Sequence, residues 1–67
     1  MTSQRLGSML KRLREREGLT QLALAKKAKV NQGYLAELEA GGKRNPSLAI
    51  LKRLANALKV TVAELLE

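Results

Sequence analysis

Leucine and alanine recur every three or four residues along almost the whole chain, and residues that start or stop helices interrupt this period at short intervals. Leu6, Met9, Leu10 and Leu13 have the i, i+3, i+4, i+7 spacing of one helical face. Gly18 follows as a residue that readily adopts the left-handed conformation at a helix end. Since the helical spacing returns after each interruption, the pattern predicts an all-α chain of short helices.

Hydroxyl and amide residues stand where four further helices are expected to begin. Such side chains accept hydrogen bonds from the first free backbone N–H groups of a helix. Thr61 and Glu64 also form the capping-box pattern T-V-A-E, and Gly41 with Gly42 ends the third helix. The expected N-caps are Thr20, Asn31, Ser47 and Thr61. The apolar faces that follow them are Leu24, Ala25, Ala28; Leu35, Leu38; Leu48, Leu51, Leu54, Ala55, Leu58; and Val62, Leu65, Leu66.

The length of the chain leaves room for one small domain. With 67 residues, of which 45% are hydrophobic, residues 1–67 are expected to form a single unit whose core is close to the lower limit for stability. The longest apolar runs, LALA and LAIL, are too short to span a bilayer, and the first ten residues lack a signal-peptide segment. We therefore expect a compact five-helix domain in the cytoplasm, with no membrane contact.

The charge balance favours a polyanionic partner. Thirteen Lys and Arg residues face six Glu residues, which gives a net charge of +7. A solvated helical surface explains the charge equally well, so charge alone does not decide. The absence of Cys and His removes disulfides, the common zinc ligands and the usual general base. We expect neither an enzyme nor a cofactor.

The second and third helices have the spacing of a helix-turn-helix. Both are about two turns long, small Ala25 lets the helices approach, and Leu35 and Leu38 point inward. Five segments, two of which belong to these helices, make the chain resemble the lambda-repressor and Cro-like (XRE-like) helix-turn-helix family over nearly its whole length. The segments are L-G-S-M-L-K-R-L-R, G-L-T-Q-L-A-L-A-K-K-A, Y-L-A-E-L-E-A-G, K-R-N-P-S-L and L-A-N-A-L-K-V.

This resemblance implies a DNA-reading role for the third helix. Gln21 matches a glutamine that contacts a backbone phosphate and braces a second glutamine, which Gln32 matches. A glutamine can form bidentate hydrogen bonds with adenine, so Gln32 is the leading base reader. Asn31, Gly33 and Glu37 fall at the other base-facing positions. Gly33 has no side chain to contact a base, whereas Glu37 can accept from cytosine N4.

The resemblance also implies phosphate contacts from flanking cations and one asparagine, which supply affinity without reading sequence. The residues expected in this role are Lys43, Arg44, Asn45, Lys26 and Lys27. For Lys26 and Lys27, exposure to solvent without any contact is nearly as good an explanation. The segment E-A-G-G-K-R-N-P is one residue longer than the shortest family form, so the loop contacts are assigned only by region.

Three further positions carry structural expectations. Arg14 and Glu39 match family residues that form an ion pair between the first and third helices, although two independent solvated charges would fit the sequence as well. Lys29 occupies the turn position where the family usually has glycine in a left-handed conformation. A lysine there should destabilise the fold by on the order of 1 kcal/mol.

The sequence is thus interpreted as a sequence-specific DNA-binding transcriptional regulator, most readily a repressor that binds double-stranded DNA at a palindromic operator. A weak homodimer is expected through the C-terminal end, at Val60, Ala63 and Leu66, because one reading helix makes few contacts. The alternatives are an antitoxin-type module of the same fold, whose partner is a toxin or another protein, and the N-terminal part of a larger regulator.

Overall fold

The computed structural model describes residues 3–42 and 45–67, with side chains from Arg5 onward. Within these ranges the chain forms five helices and no strand. They are α1 (Ser3–Arg16), α2 (Gln21–Ala28), α3 (Gln32–Glu39), α4 (Leu48–Leu58) and α5 (Val62–Leu65). The prediction of an all-α, five-helix chain is confirmed. In the same ranges no helix has the length and hydropathy that a membrane span requires.

All the predicted N-caps form. Thr20 Oγ1 accepts from Ala23 N at 3.0 Å, and Asn31 Oδ1 accepts from Tyr34 N at 3.1 Å. The corresponding contacts of α4 and α5 are Ile50 N to Ser47 Oγ at 3.2 Å and Glu64 N to Thr61 Oγ1 at 3.0 Å. Thr61 N donates back to Glu64 Oε1 at 3.2 Å, which completes the capping box. Each cap supplies an acceptor for a backbone N–H that has no partner within its helix.

The first four helices end on a residue with positive φ. Gly18 and Gly41 end α1 and α3 with φ of 69° and 82°, a conformation that glycine adopts without steric penalty. Lys29 and Lys59 end α2 and α4 with φ of 59° and 61°. The left-handed conformation expected at Lys29 is therefore present. The same conformation at Lys59 was not anticipated from the sequence.

The core is built almost entirely from leucine and alanine. Helix α1 packs mainly on α3, α2 packs on α4 and α3, and α5 covers α4 and α1. The leucines that are fully buried are Leu10, Leu24, Leu35, Leu38, Leu54, Leu58 and Leu65. The expectation that Leu48 belongs to the apolar face of α4 is wrong, because this side chain is 58% exposed. Leu48 is the first residue of α4, and the buried residues of this helix begin at Leu51.

Helices α1 and α3 approach each other closely at Gly7. A Cβ atom placed on Gly7 would overlap the carbonyl oxygen of Leu38 and would lie 2.7 Å from the carbonyl oxygen of Glu39. Both atoms belong to the backbone at the end of α3, which cannot rotate away as a side chain can. The absence of a side chain at position 7 therefore determines how closely α1 packs against the helix expected to read DNA.

Gly7→Ala should lower the free energy of unfolding, although alanine favours a helix over glycine by about 1 kcal/mol. The steric overlap with the α3 backbone should outweigh this gain and give a net loss of about 1 to 3 kcal/mol in urea denaturation. Ser8→Ala is the matched control, because Ser8 is exposed on the same helix. It should be neutral or slightly stabilising. An equal gain in both variants would show that α1 and α3 can separate without penalty.

Candidate nucleic-acid interface

Helix α3 has one buried face and one exposed face. Leu35 and Leu38 are buried against the other helices. Gln32, Gly33 and Glu37 are exposed on the opposite side of the same two turns. Because i and i+4 residues share one face of a helix, Gly33 and Glu37 lie one above the other. The structure thus presents the residues predicted to face DNA bases on one accessible surface.

A depression of about 720 Å³ runs beside this surface, between α3 and the start of α4. Its lining includes Lys29, Asn31, Gly33, Tyr34, Glu37 and Ser47. The structure therefore brings together three of the predicted base-facing residues, and Gln32 is exposed at the first turn of the same helix. We refer to Asn31, Gln32, Gly33 and Glu37 as the reading surface.

Asn31 has two roles at the start of α3. Its Oδ1 atom caps the helix, so the amide NH₂ group is the part of this side chain that can donate to a base acceptor. A Cβ atom on Gly33 would lie 3.0 Å from that oxygen. The small size of Gly33 therefore leaves space for the cap, which is a role the sequence did not reveal. It also leaves the backbone of α3 open to close approach.

Side chains from three helices form one hydrogen-bonded network: Arg14 of α1 and Gln21 of α2 both donate to Glu39 of α3. Arg14 Nε lies 2.7 Å from Glu39 Oε2, and Arg14 Nη2 lies 2.9 Å from Glu39 Oε1. Gln21 Nε2 donates to Glu39 Oε1 at 3.1 Å, and Arg14 Nη1 donates to the Leu19 carbonyl at 2.8 Å. The ion pair expected from the resemblance is thus present and bidentate. That Gln21 also joins it differs from the expectation, which pairs Gln21 with Gln32.

This network is largely withdrawn from solvent, with 12% of the Arg14 side chain and 4% of the Glu39 side chain exposed. The hydrogen bond to Glu39 raises the pKa of Arg14 above its ordinary value; burial opposes this effect, while the charges of Glu39 and Glu15 add to it. A raised folded-state pKa stabilises the fold at every pH below the unfolded-state value. The contribution of Arg14 is therefore constant across the neutral range.

The predicted phosphate contacts are only partly described. Lys26, Lys27 and Asn45 are exposed, which is compatible with that role. Lys43 and Arg44 lie outside the described residues. Sequence reasoning missed Arg53, whose Nη1 donates to the Lys29 carbonyl at 3.2 Å and so connects α4 to the turn before α3. The 24-residue separation of this pair leaves no local sequence signal.

The residues expected to mediate dimerisation are accessible to different degrees. Val60 is half-buried against the core, whereas Ala63 is exposed. Leu66 is 38% exposed, and Leu65 beside it is fully buried. The last turn of the chain therefore offers a small apolar surface around Ala63 and Leu66.

Comparisons with known proteins give consistent relatives. A helix-turn-helix family profile matches residues 10–65. The immunity repressor protein of Bacillus phage phi105 is 40% identical over 58 residues, which are 87% of this chain and 40% of that protein. The HTH-type transcriptional regulator y4dJ of Sinorhizobium fredii is 43% identical over 60 residues, covering 90% of this chain and 77% of the relative. This chain thus spans about two fifths of the phage repressor.

A solved structure with the same fold contains DNA. The crystal structure of SinR, the Bacillus subtilis master regulator for biofilm formation, in complex with DNA has a TM-score of 0.89 to this chain. The two are 34% identical, and the match covers 92% of this chain and 98% of the SinR chain. The lambda-repressor-like fold class predicted from the sequence is confirmed.

Arg14→Ala should lower the free energy of unfolding by about 3 to 5 kcal/mol, because it leaves the buried Glu39 carboxylate without its cation. The loss should be the same across the neutral range. Arg16→Ala is the control: the Arg16 side chain is 55% exposed and lies 3.6 Å from Glu17, so its loss should be about 0.5 kcal/mol or less.

The double variant Arg14→Met/Glu39→Met should recover most of the stability, because no charge is then left buried. Denaturant unfolding of the four proteins measures these differences. If Arg14→Ala and Arg16→Ala had equal effects, the Arg14–Glu39 pair would not stabilise the fold.

Proposed function

Because this chain belongs to the helix-turn-helix family of lambda-repressor-like DNA-binding domains, we propose that it is a sequence-specific DNA-binding transcriptional regulator that acts as a repressor. The relatives are transcriptional regulators and repressors rather than enzymes. In this proposal α3 enters the major groove, and two copies of the chain bind the two halves of a palindromic operator. Residues 1–67 act as one domain, located in the cytoplasm.

The observation that carries this proposal is the division of α3 into a buried leucine face and an exposed polar face. Gln32 offers an amide of the geometry that pairs with adenine N6 and N7. Glu37 offers an acceptor for cytosine N4, and Asn31 offers a donor while its oxygen caps the helix. Gly33 contributes close approach of the backbone rather than a side-chain contact.

Affinity in this proposal comes from outside the reading surface. Asn45, Lys26 and Lys27 are exposed on segments next to α3, and Lys43 and Arg44 are assigned to the same role by the family resemblance. The lysines and Arg44 release counterions when they contact phosphates, which makes binding strong at low salt and steeply salt-dependent. Gln21 contributes a phosphate contact at the start of α2, with its amide nitrogen held by Glu39.

Dimerisation is proposed through Val60, Ala63 and Leu66. The apolar area there is small, so the dimer should be weak and should be completed on DNA. An antitoxin-type module that binds a toxin or another protein is the competing proposal. Binding selection on random duplexes, followed by footprinting, separates the two. Recovery of a palindromic site supports the repressor, and failure to enrich any sequence supports the protein-binding module.

Gln32→Ala should weaken binding to the selected operator by about 1 to 3 kcal/mol per half-site, because two hydrogen bonds to one base are lost. Binding to a mixed-sequence duplex should hardly change. Titrations of both duplexes by fluorescence anisotropy measure this difference, and Ser8→Ala on α1 serves as a control for both. Equal losses on the two duplexes would remove Gln32 from the base readers.

Leu66→Lys should weaken self-association while leaving the monomer folded, because a charge replaces an apolar side chain at the proposed interface. Sedimentation over a concentration series, with and without the palindromic duplex, measures the association. Leu22→Lys is the matched control, since Leu22 is 46% exposed on α2 and outside the proposed interface. An operator complex containing a single wild-type chain on an isolated half-site would contradict the dimer.

A further inference from the structure

A second depression lies next to the reading surface and is lined by cations. It has a volume of about 280 Å³, and its lining residues are Lys27, Ala28, Lys29, Arg53, Asn56 and Ala57. Three of these six carry a positive charge, and none is acidic. We call Lys27, Lys29 and Arg53 the turn cluster, because they surround the turn between α2 and α3.

Lys29 connects this cluster to the reading surface. It lines both depressions, together with Asn31 and Gly33 in the first and with Lys27 and Arg53 in the second. Arg53 donates one N–H to the Lys29 carbonyl at 3.2 Å. A guanidinium carries five N–H donors, so this contact orients Arg53 and leaves other donors for an anion.

The conformation of Lys29 is unfavourable for a lysine. Its φ of 59° lies in the left-handed region, where glycine has no steric penalty. Lys59 has the same conformation, with φ of 61°, at the end of α4. The two turns also have the same backbone hydrogen-bond pattern. Val30 N donates to Ala25 O at 2.9 Å, and Val60 N donates to Ala55 O at 3.0 Å.

The two lysines differ in their electrostatic surroundings. The ammonium of Lys59 lies 3.9 Å from Glu17 Oε1, so its charge is partly balanced. Lys29 adjoins two further cations and the exposed start of the reading helix. Like charges placed together on a surface attract a polyanion, because they raise the local positive potential.

We propose that the turn cluster binds the phosphodiester backbone of DNA beside the groove that α3 enters, with Lys29 as the central contact. This inference rests on the proposed function and adds Lys29 and Arg53 to the phosphate-binding residues. The left-handed conformation of Lys29 lowers the stability of the fold, whereas its charge increases the affinity for every DNA sequence. Phosphate contacts do not read bases, so the cluster strengthens binding without changing the preferred operator.

The test compares Lys29→Gly with Lys59→Gly. Both variants remove one positive charge and relieve one left-handed lysine, so both should raise the Tm, by about 4 to 8 °C. On a mixed-sequence duplex of about 20 base pairs, only Lys29→Gly should reduce the salt slope, by about one unit. Between about 50 mM and about 200 mM salt, its affinity should fall about 3.5-fold less than that of the wild type.

Two further substitutions at position 29 separate charge from backbone. Lys29→Asn removes the charge with a residue that tolerates the left-handed conformation, and it should lose the same slope. Lys29→Arg retains the charge and should keep the wild-type slope. Equal salt slopes for Lys29→Gly, Lys59→Gly and the wild type would refute phosphate binding by the turn cluster while leaving the proposed function intact. A wild-type chain that binds no duplex even at low salt would overturn both.

Discussion

The position of α3, the proposed reading helix, depends on the contact between α1 and the last turn of α3. Gly7 lets the α1 backbone lie against the carbonyl groups of Leu38 and Glu39. About two turns further along α1, Arg14 donates two hydrogen bonds, of 2.7 and 2.9 Å, to the Glu39 carboxylate. A backbone contact and a buried bidentate ion pair thus restrain the same residue, so the C-terminal end of α3 is held firmly while its N-terminal end is exposed.

Glu39 also joins the reading helix to α2. Its Oε1 atom accepts from both Arg14 and Gln21, so the amide at the start of α2 is oriented by the same carboxylate. A buried carboxylate is stable only when its oxygens have partners, and here a cation and an amide supply them. In the proposed complex this arrangement connects a phosphate contact at α2 to the placement of α3, because both depend on one side chain.

In the proposed complex, base contacts and phosphate contacts come from different segments. Between Asn31 and Ala40 the chain has two glutamates and no cation, although its net charge is +7. Cations stand instead on the segments beside α3, including the turn where Lys29 has an unfavourable backbone conformation. Polar side chains without a positive charge discriminate between base edges, whereas cations bind any phosphate. In the proposed complex, the polar side chains of α3 can therefore contact bases in the groove while the cations contact phosphates beside it.

The sequence by itself determined the five helices and the N-caps of the last four. Each N-cap and each capping hydrogen bond joins residues three positions apart, so the residue types are sufficient to predict them. The candidate base readers came from the family resemblance; the structure leaves all four exposed, and their role stays a prediction. Only the tertiary structure decided that Leu48 is exposed, that Gly7 meets the α3 backbone, that Gln21 donates to Glu39, and that Arg53 reaches Lys29. These last two contacts join residues 18 and 24 positions apart, and such pairs meet only after the helices have packed, so no local spacing encodes them.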